Sequence, residues 1–267
     1  MNIYEKFHEQ IQLQNNVISR DNFTYREIIN SLLNIFPLLL YKNVLDIGCG
    51  SGSLSFFLAK EGFEVFGFDI SNSAIKNCKL NSKLLNLETK THFEVIDFPK
   101  KIPNEKFNLI ICSEILEHIN NDEESLSKIH NLLENKGILV VSVPSSNSLL
   151  YKFGFLKKFD KRVGHLRRYS FETLVNKLQN NGFTVLKVKK IEGIIRNSMF
   201  SFKFFNIIIK FANKFIFISD VISFIDNLSI PIFGESGLII VAQNKEGKSL
   251  YSQKNIPLYS RLGQEKN

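Results

Sequence analysis

The sequence lacks most of what marks an exported or membrane-spanning chain. Its three cysteines, Cys49, Cys78 and Cys112, are an odd number at spacings unlike those of a zinc site, which argues against a disulfide scaffold. The opening MNIYEKFHEQIQLQNN is polar and has no apolar core of a secretory signal. No uninterrupted apolar run reaches the roughly 18 residues of a spanning helix, because charges break even the Phe- and Ile-rich stretch after Ile194. Together these absences predict a reduced, cytoplasmic setting. With 267 residues, 44% of them hydrophobic, the chain can bury a full core, so it is globular rather than disordered.

The net charge of +8 is uneven. Residues 150–215 carry 15 basic against 3 acidic residues, a local charge of +12, while the first 149 residues are slightly acidic. Such a segment faces nucleic acid, an anionic membrane or a phosphorylated small molecule, or forms a solvated lysine-rich face.

Apolar runs and 3.6-residue periodicity alternate along the chain. Strands are expected at 43–47, 63–68, 92–96, 107–112 and 137–143. Helices are expected near 22–36, 52–61, 72–86 and 122–134. After a basic, aromatic stretch over 145–170 come a helix at 171–181 and strands at 183–190 and 237–243. Parallel crossovers need helices on both faces, so the fold class is α/β: a doubly wound, Rossmann-like, seven-stranded sheet, mostly parallel with a C-terminal antiparallel strand. One domain over 1–245 is expected, with its core at about 40–193 and 237–245 and a polar tail over 246–267. Between the core pieces, residues 194–236 form a hydrophobic helical insertion. Its polar positions Lys203, Asn206, Lys210, Asn213 and Asp220 recur at helical steps beside a wide arc of Phe200, Phe204, Ile207, Ile208, Phe211, Phe215 and Ile218. This implies one or two amphipathic helices, either packed on the sheet or a second copy, or lying in a membrane interface.

VLDIGCGSGSLSFFLAK, residues 44–60, sets Gly48, Gly50 and Gly52 between a strand and a helix, where the backbone can approach a ligand. A dinucleotide fingerprint would place its third glycine at Ser53. The next strand ends in Asp69, which can accept both ribose hydroxyl protons of an adenosine, and the third is followed by Asp97 and Phe98, a carboxylate and a ring able to meet adenine.

Together VLDIGCGSG, GFDIS, IDFP, FNLIICSEILEHI and GILVVSVPS resemble the class I S-adenosylmethionine-dependent methyltransferases over roughly residues 40–190 and 237–245. The resemblance implies S-adenosyl-L-methionine as cofactor. It places Asp46 near the methionine amino group and Gly48, Cys49, Gly50 and Gly52 along the cofactor. Asp69 and Ile70 would meet the ribose, Asp97 and Phe98 the adenine, with Ser113 beside them. Cys49 itself reads as a buried small hydrophobe.

After the fourth strand, Glu114, Glu117 and His118 share a helical face, as i, i+3 and i+4. SEILEHI is similar to the ubiquinone-biosynthesis O-methyltransferases, in which the equivalent Glu, Glu and His are associated with magnesium. Glu114, Glu117 and His118 are thus a possible metal set, while Glu114, His118 and His165 are candidate catalytic groups. The bland reading is that Glu117 and His118 orient the turn. In VGHLRRYS, residues 163–170, His165, Arg167, Arg168 and Tyr169 could bind an anionic group of the acceptor, or form a salt-bridged lid with Ser170 capping the next helix.

The expected reaction is methylation, at oxygen, of a small or lipid-linked acceptor, with possible peripheral attachment to the inner membrane face. An RNA methyltransferase is an alternative, but no N-P-P-Y-like tetrapeptide follows the fourth strand, and nucleic acid is not expected as a partner. A noncatalytic peripheral protein that retains cofactor binding is the other.

Overall fold

The computed structural model describes Glu5, residues 16–38 and residues 42–245; the expected tail over 246–267 and most of the opening segment lie outside them. Seven strands make one sheet: β1 (Asn43–Ile47), β2 (Glu64–Asp69), β3 (Thr91–Val95), β4 (Phe107–Ser113), β5 (Leu133–Pro144), β6 (Phe183–Ile191) and β7 (Gly237–Asn244), in the order β3-β2-β1-β4-β5-β7-β6. The first five are parallel. β7 slots between β5 and β6 and runs antiparallel to both. Because β2 lies on one side of β1 and β4 on the other, a crevice opens at their carboxyl ends.

Period-2 alternation sends β1 side chains to both faces. Leu45 and Ile47 join Ile110, Leu139, Val141 and Ile240 on one face, under α4 (Asp122–Leu132) and α7 (Phe171–Asn180). Val44 joins Leu109, Ile111, Ile138 and Val140 on the other, under α1 (Arg26–Ile35) and α2 (Ser53–Lys60). Each such buried aliphatic contributes roughly 1.5–3 kcal/mol, so the strands are fixed by their middles and their carboxyl ends are free to carry chemistry. Side-chain caps start α4, α7 and one further helix of the layers that cover the sheet. Ser71 Oγ accepts from Ala74 N ahead of α3 (Asn72–Leu84), Asn121 Oδ1 from Glu124 N ahead of α4, and Ser170 Oγ from Thr173 N ahead of α7.

The basic stretch after β5 contains two short helices, α5 (Leu149–Lys152) and α6 (Lys157–Val163). The insertion holds three helices rather than one or two: α8 (Ile194–Ser201), α9 (Asn206–Lys214) and α10 (Ile216–Phe233). The charges that break the apolar run do not break the helix α10. It is one helix of 18 residues with mean hydropathy 1.6, long and apolar enough to cross a membrane by length and composition. Asp220 and Asp226 do not interrupt it, because Asp220 pairs with Arg26 and Asp226 is buried against α8.

Candidate functional site

A cleft of about 370 Å³ opens at the carboxyl ends of β1, β2 and β3, lined by Gly48, Phe68, Asp69, Ile70, Asp97, Phe98, Ile115 and His118 among others. Gly48 N and Cys49 N both donate to Phe68 O, at 2.8 and 3.0 Å, which ties the glycine loop to β2. Asp69 is held by two backbone donors, Gly50 N at 3.0 Å and Ser71 N at 2.9 Å, so its carboxylate faces the cleft already oriented. Asp97 stands at the rim and pairs with Lys100 at 2.8 Å, while Phe98 packs on Phe68 with ring centroids 5.7 Å apart. An oriented carboxylate beside an apolar slot with a second carboxylate at its end suits a ribose and a base, and the volume suits S-adenosylmethionine.

Close approach explains the glycine at 48. Its φ is +69°, and a Cβ there would lie 2.0 Å from Ile115 Cδ1. Gly50 instead gives its N–H to Asp69, and a Cβ at Gly52 would press on Phe56 and Cys78, so these two shape the loop from behind. Cys49 likewise faces inward, with Phe56, Ile75, Cys78 and Phe93. Asp46 also departs from the expected contact. It is 3% exposed and accepts from Ser55 Oγ at 2.5 Å, beneath the loop rather than in the cleft. Burial pushes its pKa up to about 7, with the Ser55 hydrogen bond opposing and Asp69 reinforcing the shift.

A second cavity, about 340 Å³, lies over the carboxyl ends of β4, β5 and β6. Its lining includes Tyr25, Glu27, Ser113, Glu114, Phe159, His165, Arg168, Glu192, Asn197 and Phe200. Between the cavities stand Ile115 and the pair His118 and His165, whose rings meet edge-on at 4.9 Å. His118 lines the first cavity and His165 the second. His118 Nδ1 lies 3.1 Å from Gly164 O, which can only accept, so this nitrogen carries the proton. Burial lowers its pKa, against the pull of Gly164 O. His165 Nδ1 is 2.9 Å from Asp160 Oδ1.

Glu117 is fully buried and, among the described residues, neither carboxyl oxygen has a hydrogen-bond partner; His118 Nε2 and His165 Nε2 approach Oε1 at 3.8 and 3.9 Å. Burial first, then repulsion from Glu114, pushes its pKa well up. Glu114 has φ +55°, accepts from Ser142 Oγ at 2.9 Å, and is surrounded by protein yet exposed to the second cavity. Burial raises its pKa too, against the pull of Ser142, His165 and Arg168. The metal set expected from the turn therefore changes. Glu114 faces the cavity beside Ser142, and the donors that converge are Glu117, His118 and His165, all within 4.8 Å of one another. Two imidazoles and a carboxylate could hold a divalent transition metal.

Three further expectations are corrected by partners distant in sequence. Arg167 pairs with Asp122 at 3.2 Å and donates to Asn120 O. Tyr169 is buried, and its hydroxyl donates to Asp122 Oδ2 at 2.8 Å, so it clamps α4 rather than meeting an acceptor. Ser113 lines the second cavity, hydrogen-bonded to Ser142, not the cofactor cleft. Arg168 does border the second cavity, but its guanidinium is forked onto Asp160, with Nη2 at 2.6 Å. Glu192, at the end of β6, was not singled out in the sequence. Its φ of +58° is shared in kind with Glu114, and burial pushes its pKa up to about 7 despite Arg196 3.8 Å away. A lone strand-end glutamate gives no sequence signal.

The methyltransferase-domain family matches residues 41–202. A ubiquinone biosynthesis O-methyltransferase from Glaesserella parasuis is 34% identical over 117 residues, covering 42% of this chain and 50% of that protein. The chain thus spans about half the length of the curated relatives it matches. In fold it is similar to an S-adenosylmethionine-dependent methyltransferase from Mesorhizobium loti, with TM-score 0.60, 15% identity, and 81% and 97% of the two chains covered. It is similar also to the magnesium protoporphyrin IX methyltransferase of Synechocystis PCC 6803 with bound SAH, with TM-score 0.57, 18% identity, and 91% and 93% covered. The oriented Asp69, the glycine loop that crosses to β2, the strand order and the matched pattern agree, and the chain belongs to the class I S-adenosylmethionine-dependent methyltransferases.

Proposed function

We propose that the protein transfers a methyl group to an oxygen of a small hydroxylated acceptor bound in the 340 Å³ cavity. The observation that carries this reading is the placement of Glu114. It stands in the acceptor-side cavity next in sequence to Ile115, which lines the cofactor cleft. The O-methyltransferase relatives support oxygen as the methylated atom. A lipid-linked acceptor is compatible with the apolar Phe159 and Phe200 in the cavity wall.

Bound in the first cleft, S-adenosylmethionine supplies a methyl group already activated on a sulfonium. The chain's residues then have to orient the acceptor and take its proton. Alignment is worth up to about 7–11 kcal/mol in well-oriented systems. Glu114, once ionised, accepts the hydroxyl proton, with Ser142 fixing its carboxylate. Glu192 offers a second acceptor across the same cavity. The left-handed backbone at both glutamates is the kind of local cost that persists at functional sites.

Because burial raises the Glu114 pKa, the base is lost as pH falls through that raised value, so activity should climb with pH above the ordinary carboxylate range. Glu114→Gln keeps the Ser142 hydrogen bond but cannot take a proton. We expect it to lose about 100- to 10,000-fold in kcat and to flatten the pH profile, while S-adenosylhomocysteine still raises the melting temperature. The assay is mass-spectrometric detection of methylated product in lipid and aqueous extract fractions supplied with enzyme and labelled cofactor. Full activity of the variant would remove Glu114 as base, and no methylated product from the wild type would sink the reading.

A further inference from the structure

The outer surface of the insertion is built inside out. α10 turns Ser219, Ser223, Asp226 and Ser229 into the protein. Each is used there. Arg26 donates to Ser219 Oγ and Ser223 Oγ at 3.0 and 3.1 Å. Asp226 accepts the N–H groups of Gly193, Ile195 and Arg196 at 2.8, 3.0 and 2.9 Å, and Ser229 Oγ accepts that of Ile194 at 3.1 Å. The opposite face presents Phe217, Phe224, Leu228 and Ile232, which are 78, 66, 60 and 73% exposed. Beside it α9 exposes Ile207 and Phe211. A helix at a water-facing surface shows its polar stripe outward, so one that buries serines and exposes phenylalanines is matched to an apolar surrounding.

Charge identifies that surrounding. Lys157, Lys158 and Lys161 on α6 and Lys210 and Lys214 on α9 are exposed and, among the described residues, form no ion pair. They belong to the segment carrying +12. A second copy of the chain would bring this basic region against its own like. An anionic bilayer accommodates both features, with phenylalanines among the acyl chains and ammonium groups at the phosphates. A spanning α10 would have to surrender the bonds from Arg26 and to the start of α8, so the helix lies along the surface instead. We propose that α9 and α10 dock the protein in the plane of an anionic lipid surface. This goes beyond the methyl-transfer reading and does not depend on it. Docking sets α8, which supplies Asn197, Phe200 and Ser201 to the acceptor cavity, between that cavity and the bilayer-bound helix.

The test is co-sedimentation of the full chain with vesicles of phosphatidylcholine alone or mixed with phosphatidylglycerol. Binding is expected only to the mixed vesicles and should weaken as salt rises. Lys210→Glu with Lys214→Glu should weaken it by about tenfold or more. Phe217→Ser, Phe224→Ser and Ile232→Ser together should abolish it. The thermal shift with S-adenosylhomocysteine confirms that both variants are folded. Equal absence of binding to the two vesicle types would overturn the proposal. So would a dimer in ultracentrifugation that the triple serine variant disperses without any vesicle binding, since a second copy would then cover the face.

Discussion

Asp46 gives the sharpest consequence at the scale of a single residue. Its carboxyl titrates near pH 7 in the folded protein and near 3.8 when unconstrained, so over that interval the folded state binds more protons than the unfolded one. Stability therefore falls as pH rises from about 4 to 7, by about 4 kcal/mol once the shift is fully expressed, and is flat above it. Asp46→Asn keeps an acceptor for Ser55 and removes the titration. The melting temperature of this variant relative to wild type should rise from pH 5 to pH 8; a constant difference would mean that Asp46 is already ionised in the fold. Side chains whose placement depends on local strand position were legible in the sequence: Asp69, Asp97 and Phe98 line a cleft at the strand ends. Side chains whose role depends on a distant partner were not. Nothing near Tyr169 announces Asp122, and nothing near Arg168 distinguishes an acceptor phosphate from the carboxylate of Asp160.

At the scale of elements, the glycine loop and the turn after β4 constrain each other through one contact. An alanine at 48 would meet two separable penalties: a left-handed backbone, about 1–2 kcal/mol, and the overlap of its Cβ with Ile115. Gly48→Ala should destabilise the protein and weaken S-adenosylhomocysteine binding. In an Ile115→Ala background only the backbone penalty should remain, so the double-mutant cycle should show coupling of at least about 1 kcal/mol. Additive effects would show that the loop and the turn move independently. The insertion carries the complementary lesson. Periodicity located amphipathic helices near 200–218, but a period does not say which face is inside. Asn213 Oδ1 accepts from Phe23 N and Asp220 pairs with Arg26, so two of the polar positions are anchors, and Phe204, Ile207 and Phe211 of the apolar arc face outward. Regular strands and helices were readable because burial imposes a period on them; the polarity of an outer helix depends on the medium, which no period records.

At the scale of the whole molecule, the sheet separates two tasks. β1, β2 and β3 carry the cofactor cleft, while β4 to β7 with the insertion carry the acceptor cavity, and Ile115, His118 and His165 stand at the seam. If this division holds, the acceptor half can be loosened without disturbing the cofactor half. Asp226 is the place to test it, because one fully buried carboxylate receives three backbone N–H groups at the start of α8. Asp226→Ala would leave those donors without partners, a cost of about 3 kcal/mol or more, confined to the insertion. Limited proteolysis should then cut within 194–236 far faster than in wild type. Turnover should fall, because Asn197, Phe200 and Ser201 wall the acceptor cavity. Calorimetric affinity for S-adenosylhomocysteine should stay within about threefold, since the contacts that orient Asp69 come from Gly50 and Ser71. Parallel loss of cofactor affinity would show instead that the two halves fold and bind as one cooperative unit, with the seam transmitting strain rather than isolating it.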